Sequence, residues 1–219
     1  MAGLMVLGVL VSGSGTNLQA ILDAMTAGTL DARVAVVVSN VAGAGALARA
    51  RAAKIETAVI EHGKFPDRRA FDAAVVGTLR AHGVEVVVLA GFMRLVTDLL
   101  LDAFPWRVLN VHPALLPAFP GVDAQSQALR YGVRVSGCTV HFVDRGTDTG
   151  PIVAQAVVPV LDDDNEDSLR ARILEREHEL LPRVLQWMAE GRVTVEGPLA
   201  PGARARVRVR GVSASLGVA

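Results

Sequence analysis

A chain of 219 residues accommodates one substantial domain with at most a small appendage, and a composition 51% hydrophobic and 20% charged supplies a buried core and excludes a disordered chain. Lys plus Arg and Asp plus Glu both number 22, so no global charge exists to collect nucleic acid or anionic lipid. The single cysteine, Cys138, excludes an internal disulfide and a cysteine-rich zinc site, and a reducing, cytoplasmic setting is expected.

The apolar start, Met1 to Val11, has no basic lead-in and meets Ser12-Gly13-Ser14-Gly15 rather than a cleavage site, so it reads as a strand and not as a signal peptide. Within it, Leu4 to Val11 is an unbroken aliphatic run, the pattern of a strand covered on both faces. Leu18, Ile21, Leu22 and Met25 then recur at helical spacing over residues 17 to 25, and Gly28 ends that helix. Residues 32 to 38 repeat the strand signal, 45 to 53 the helical one, and 57 to 60 form a shorter strand. Residues 65 to 81 read as a helix with Pro66 in its first turn and Gly83 past its end. Strands follow at 84 to 90 and 107 to 111. This alternation predicts an α/β fold, a doubly wound and mostly parallel Rossmann-like sheet with ligands beyond the carboxyl ends of its strands.

Past residue 111 the texture changes. Pro113, Pro117 and Pro120 force a structured loop, 123 to 131 reads as a short helix, and 136 to 143 and 152 to 160 read as strands that pair antiparallel. Residues 165 to 190 carry the longest helical pattern, with Pro182 expected to kink it. The acidic run Asp162 to Asp167 is read as capping that helix rather than holding a cation, so no metal is expected. Val193 to Val195 and Val207 to Val209 fit a terminal hairpin or a frayed tail. Residues 1–195 are thus expected to form one domain and 196–219 a tail or hairpin. No apolar run approaches the roughly 20 residues of a membrane span.

Three motifs carry chemistry. Ser12 to Asn17 lies between the first strand and the first helix, where glycines admit an anion to unpaired helix N–H groups. The loop is expected to hold phosphate, the alternative being a tight turn with Thr16 or Asn17 as a helix cap. A third glycine and a strand-end acid, required for NAD, are missing, and so is the Gly-Lys-Ser/Thr of a triphosphate loop. Asn110-Val111-His112-Pro113 ends the fifth strand, and alternation puts Asn110 and His112 on one face. An amide donor beside an imidazole suits attack on a carbonyl, against the plainer reading of a buried structural histidine. Asp148-Thr149-Gly150-Pro151 places a carboxylate in a turn, either bonding its own backbone or orienting His112 and favouring its protonated form.

Ser12 to Ala20, Leu89-Ala90-Gly91-Phe92-Met93-Arg94, Asn110 to Pro117 and Asp148 to Pro151, taken together and in this order, resemble the glycinamide ribonucleotide formyltransferases of the folate-dependent formyltransferase family. The resemblance runs from about residue 5 to residue 195. It implies formyl transfer from 10-formyltetrahydrofolate, as cosubstrate, to the amine of glycinamide ribonucleotide in purine biosynthesis. It implies Asn110, His112 and Asp148 as the catalytic trio. Gly15, Thr16 and Asn17 would hold the ribonucleotide phosphate, and Glu177 would reach its ribose. Arg68, Met93, Arg94, Val96 and the Asp144 to Asp148 segment would meet the folate, largely through backbone groups. The implied partners are small molecules, with no nucleic acid and no membrane, and the chain is expected as a monomer or homodimer. The alternatives are a 10-formyltetrahydrofolate hydrolase and a non-catalytic phosphate-ligand module. His62, His82, His141 and His178 receive no role.

Overall fold

The computed structural model describes residues 3–197 and 204–211. The chain divides into two compact units, Met1–Asn110 and Val111–Ala219. The described strands form a mostly parallel seven-stranded sheet and a separate two-stranded ribbon.

In the first unit β1 is Met5–Val11, α1 Thr16–Thr26, β2 Ala32–Ser39, α2 Gly45–Ala52, β3 Glu56–Val59, α3 Arg68–Ala81, β4 Val86–Leu89, α4 Asp98–Ala103 and β5 Val108–His112, whose last two residues pass into the second unit. The pairs β1–β2, β2–β3, β1–β4 and β4–β5 are all parallel, as the continuous aliphatic runs predict. Leu7, Val9, Leu10 and Val11 are fully buried, as are Val86, Val87 and Val88. Gly8 lets the sheet approach α3, because a Cβ there would lie 2.5 Å from a methyl of Leu79. The chain runs outward through β2 and β3 and then returns to β4 on the other side of β1. That reversal is a switch point, and the loops after β1 and β4 stand beside it.

The helix expected from Phe65 begins at Arg68 instead. His62–Lys64 forms a 3-10 turn, and Asp67 is the cap, its carboxylate accepting from the Ala70 N–H at 2.7 Å, which leaves Pro66 outside the helix. The short helix α4 has no counterpart in the sequence reading.

The second unit contains α5, Ala124–Tyr131; β6, Val135–Phe142; β7, Ile152–Pro159; α6, Glu166–Ala189; β8, Val193–Glu196; and β9, Arg206–Val209. β6 and β7 are antiparallel, with a bulge between Val140 and His141. Helix α6 packs on both strands and continues through Pro182, with Leu169, Ile173, Leu181, Val184 and Leu185 buried. Asn165 and Ser168 form a reciprocal capping box at its start, as expected of the polar run there. β8 and β9 pair antiparallel from Val193 with Val209 to Glu196 with Arg206. Among the described residues no helix is long and apolar enough to cross a membrane.

Candidate active site

At the carboxyl end of β1, Gly15 adopts the left-handed conformation (φ 76°) and sits at the N-cap of α1. Neither Thr16 nor Asn17 is the cap: α1 starts at Thr16 with no side-chain cap and no acid in its first turn. No acid in the first turn of α1 competes for the positive end of the helix. The loop is shaped by α2, since the Ala46 N–H donates to the Gly13 carbonyl at 3.1 Å and Arg49 Nε donates to the Ser14 carbonyl at 3.0 Å. A Cβ on Gly15 would lie 2.5 Å from that of Ala46. The glycine therefore serves close packing against α2 as well as approach by an anion.

The segment after β4 runs without regular structure from Ala90 to Val96. It holds Met93, Arg94 and Val96, and its Met93 and Leu95 side chains are 74% and 56% exposed. Within it, Phe92 stacks on Phe71 of α3 with ring centroids 6.4 Å apart. Arg68, at the exposed start of α3, lies one turn from Asp72, which is almost wholly buried. Burial raises the Asp72 carboxyl above its ordinary value, against the lowering effects of hydrogen bonding to Thr97 and of the Arg68 and Arg94 charges.

In the second unit His112 ends β5 with only 4% exposure. Its Nε2 is 2.8 Å from the Phe119 carbonyl oxygen, and its Nδ1 is 3.3 Å from Asp148 Oδ2. Asp148 has left-handed backbone (φ 53°), accepts from the Gly121 N–H at 2.8 Å and has its other oxygen 3.7 Å from Nε2 of His141. The proline loop is braced from β6 and β7: Thr139 Oγ1 donates to the Ala114 carbonyl and accepts from the Leu116 N–H, while Gln155 donates to the Leu116 carbonyl. A bond between Leu116 and Pro117 in the cis form lies within this loop.

The electrostatics of the pair set burial against charge. Burial pushes the His112 imidazole below its ordinary value, assisted by His141, whereas the Phe119 carbonyl and the Asp148 charge pull it up and are outweighed. The pull of Asp148 has the expected sense, and burial outweighs it. For Asp148 burial is again the largest influence and raises its carboxyl; the His141 ring, the Gly121 N–H and His112 together overcome it and hold the group ionised. Both nitrogens of His112 face oxygen acceptors, so a neutral ring leaves one of them without a proton. A second proton arriving during a reaction has a seat prepared.

The structure thus joins His112 to Asp148, and places Asn110 two residues before His112 on the same strand. It adds His141, the Phe119 carbonyl and the Gly121 amide, none of which the sequence reading selected. Asp144 spends a carboxylate oxygen on its own turn, accepting from the Gly146 N–H and the Thr149 hydroxyl. Glu177 is buried on α6, 6% exposed. Its charge and, above all, burial push the Cys138 thiol up to about 12, which makes this cysteine inert. Among the described residues no group of three or more His, Cys, Asp and Glu side chains gathers as a metal site.

Comparison with known proteins gives a consistent result. The family model described as formyl transferase matches residues 5–185. The phosphoribosylglycinamide formyltransferase of Bacillus subtilis is 42% identical over 180 residues, 82% of this chain and 92% of that protein. The trifunctional purine biosynthetic protein adenosine-3 of Drosophila melanogaster is 46% identical over 185 residues, 84% of this chain, which spans only 14% of that relative's length. A crystal structure of glycinamide ribonucleotide transformylase 1 from Symbiobacterium toebii superposes with a TM-score of 0.90 at 52% identity, covering 95% of both chains. Matched across most of its length in sequence and in fold, the chain belongs to the formyl transferase family.

Proposed function

We propose that this protein transfers the formyl group of 10-formyltetrahydrofolate to the amine of glycinamide ribonucleotide, as a cytoplasmic enzyme of purine biosynthesis. The observation that carries the reading is the buried His112–Asp148 pair at a strand end, with Asn110 on the same strand face. The loop Gly15 to Asn17 takes the ribonucleotide phosphate, and Glu177 its ribose. Arg68, Met93, Arg94, Val96 and Asp144 receive the folate. The exposed Met93 and Leu95 side chains supply an apolar ledge suited to a flat ring.

The amine nitrogen forms a bond to the formyl carbon, and charge develops on the formyl oxygen. The Asn110 amide donates to that oxygen, and His112, once protonated, stabilises it. Phe119 already offers a carbonyl oxygen to Nε2 of His112, and the formyl oxygen is a group of the same kind that takes its place. As the intermediate collapses, the attacking nitrogen gives up one proton, the bond from carbon to N10 breaks, and N10 gains one proton. His112 carries that proton between them, and Asp148 holds the ring and favours its charged form.

The test separates transfer from hydrolysis. Tetrahydrofolate release from 10-formyltetrahydrofolate alone is expected to be slow and to rise at least roughly a hundredfold on adding glycinamide ribonucleotide, within what positioning provides. Rapid release that the ribonucleotide does not alter would identify a hydrolase.

A further inference from the structure

We propose that Ser12 is a positioning residue that locks the backbone receiving the folate onto the loop receiving the phosphate, so that filling one site steadies the other. The inference rests on the assignment of those two segments made above.

The two segments follow β1 and β4, neighbouring strands on either side of the switch point. Ser12 belongs to the first and holds the second twice. Its N–H donates to the Gly91 carbonyl at 3.1 Å, and its Oγ accepts from the Met93 N–H at 2.9 Å. The direction of the second bond is fixed by a third group. Ser12 has one hydroxyl proton and gives it to Oδ1 of Asn40, 2.6 Å away, so only lone pairs remain to face Met93. Asn40 is itself buried, 6% exposed, just beyond the end of β2.

The far end of the segment is also tied. The Thr97 N–H donates to Oδ2 of Asp72 on α3 at 2.5 Å. Three residues lie between Met93 and Thr97, and of these Leu95 is exposed while Arg94 and Val96 are half-buried. A strip of irregular backbone fixed at both ends by side chains from other elements is preorganised for recognition through its main chain, and pays less ordering entropy when a ligand arrives. Because one of its two anchors is part of the phosphate loop, ordering of that loop by an anion is transmitted to Met93 through a single hydroxyl. Thermodynamic reciprocity requires the converse.

The experiment compares wild type, Ser12→Ala and Ser12→Thr in the full chain. Amide hydrogen exchange over residues 91–97 is expected to be at least about tenfold faster at Met93 in Ser12→Ala and near normal in Ser12→Thr, which keeps the hydroxyl. Calorimetric titration then uses tetrahydrofolate, which carries no formyl group and cannot turn over, with and without saturating glycinamide ribonucleotide. In wild type the ribonucleotide should tighten tetrahydrofolate binding by at least about fivefold, the lower end of ordinary coupling between sites. In Ser12→Ala the factor should fall below about two. A serine that merely supports the fold would lower stability and leave the factor unchanged. Normal exchange at Met93, or full coupling in Ser12→Ala, overturns the inference while the functional reading stands. Failure of the wild type to bind either ligand overturns the functional reading itself, and the coupling with it.

Discussion

The Ser12 to Asn17 loop and the His112–Asp148 cluster solve opposite problems with opposite materials. The loop is made of main chain: a left-handed glycine, the start of a helix without a side-chain cap, and carbonyls held by Ala46 and Arg49 of α2. Its charge comes from oriented peptide dipoles, which do not titrate. The cluster is made of side chains, two histidines and a carboxylate packed closely enough that burial and neighbouring charge move the ionisation of His112 and Asp148. A fixed field suits a group that must only be held, whereas a titratable cluster suits one that must exchange a proton. The two regions should therefore fail differently, the loop through its backbone and the cluster through its chemistry.

The largest effect is expected at the cluster. His112→Ala should lower kcat by about 10²- to 10⁴-fold, the range for loss of acid–base assistance, while the KM for the folate moves only a few-fold. Asp148→Asn should be nearly as severe, because the amide keeps the shape but removes the negative charge that raises the ionisation of His112. Steady-state kinetics on variants with native circular dichroism provides the measurement. A near-normal kcat in either would remove that residue from the proton path.

A smaller and differently shaped effect is expected at the loop. Gly15→Val forces a branched side chain into left-handed backbone and into Ala46, so a stability loss of about 1–3 kcal/mol should accompany it. The KM for the ribonucleotide should rise at least about tenfold, with the folate KM less affected. The structure makes this variant a harsher test than the sequence implies, because the glycine also packs against α2. Denaturant unfolding and kinetics on the same preparation separate the two costs. Unchanged ribonucleotide KM in a folded protein would take the phosphate away from this loop.

Asp164 supplies a reference outside both regions. Hydrogen bonds from Arg172 above all, with the Leu161 N–H and the Ser168 hydroxyl, hold its carboxyl far below the ordinary value of 3.8. For a depressed acid the stabilisation is fully present above the unfolded value and disappears as pH falls through the folded one. Asp164→Asn should thus lower Tm at neutral pH by about 2–4 °C, the scale of one modest interaction in a chain of this size. The gap to wild type should close as pH drops below 3.8, with kcat at neutral pH unaltered. A gap independent of pH would show that the carboxylate charge is not what stabilises the start of α6.

The parts of the molecule legible beforehand are those whose physics is local. Buried parallel strands such as β1 and β4 read as unbroken aliphatic runs because both faces are covered, and the Asn165 cap is visible because its partner is three residues away. Asn110 and His112 were selected because strand alternation is a local rule. The pairing of His112 with Asp148 followed only on the supposition that the turn folds back, and the structure bears out that contact. His141 escaped notice: its place in a buried strand announces burial, and nothing local reveals that a carboxylate from a later turn meets it. Ser12 and Asp72 act on backbone amides 81 and 25 residues away, which no periodicity can display. The six residues of α4 are too few to establish a period, and the helix start at Arg68 depended on a cap at Asp67 that proline one residue earlier disguised. The net lowering of the His112 imidazole has another origin. The attraction of Asp148 could be anticipated from the sequence, but the burial that outweighs it could not.

The central claim, formyl transfer to an amine, is tested most directly by following the formyl carbon itself. With 10-formyltetrahydrofolate labelled at that carbon and glycinamide ribonucleotide present, the account predicts one label in the ribonucleotide for each tetrahydrofolate released, with little free formate. Recovery of the label as formate, in step with tetrahydrofolate and regardless of the ribonucleotide, would contradict it.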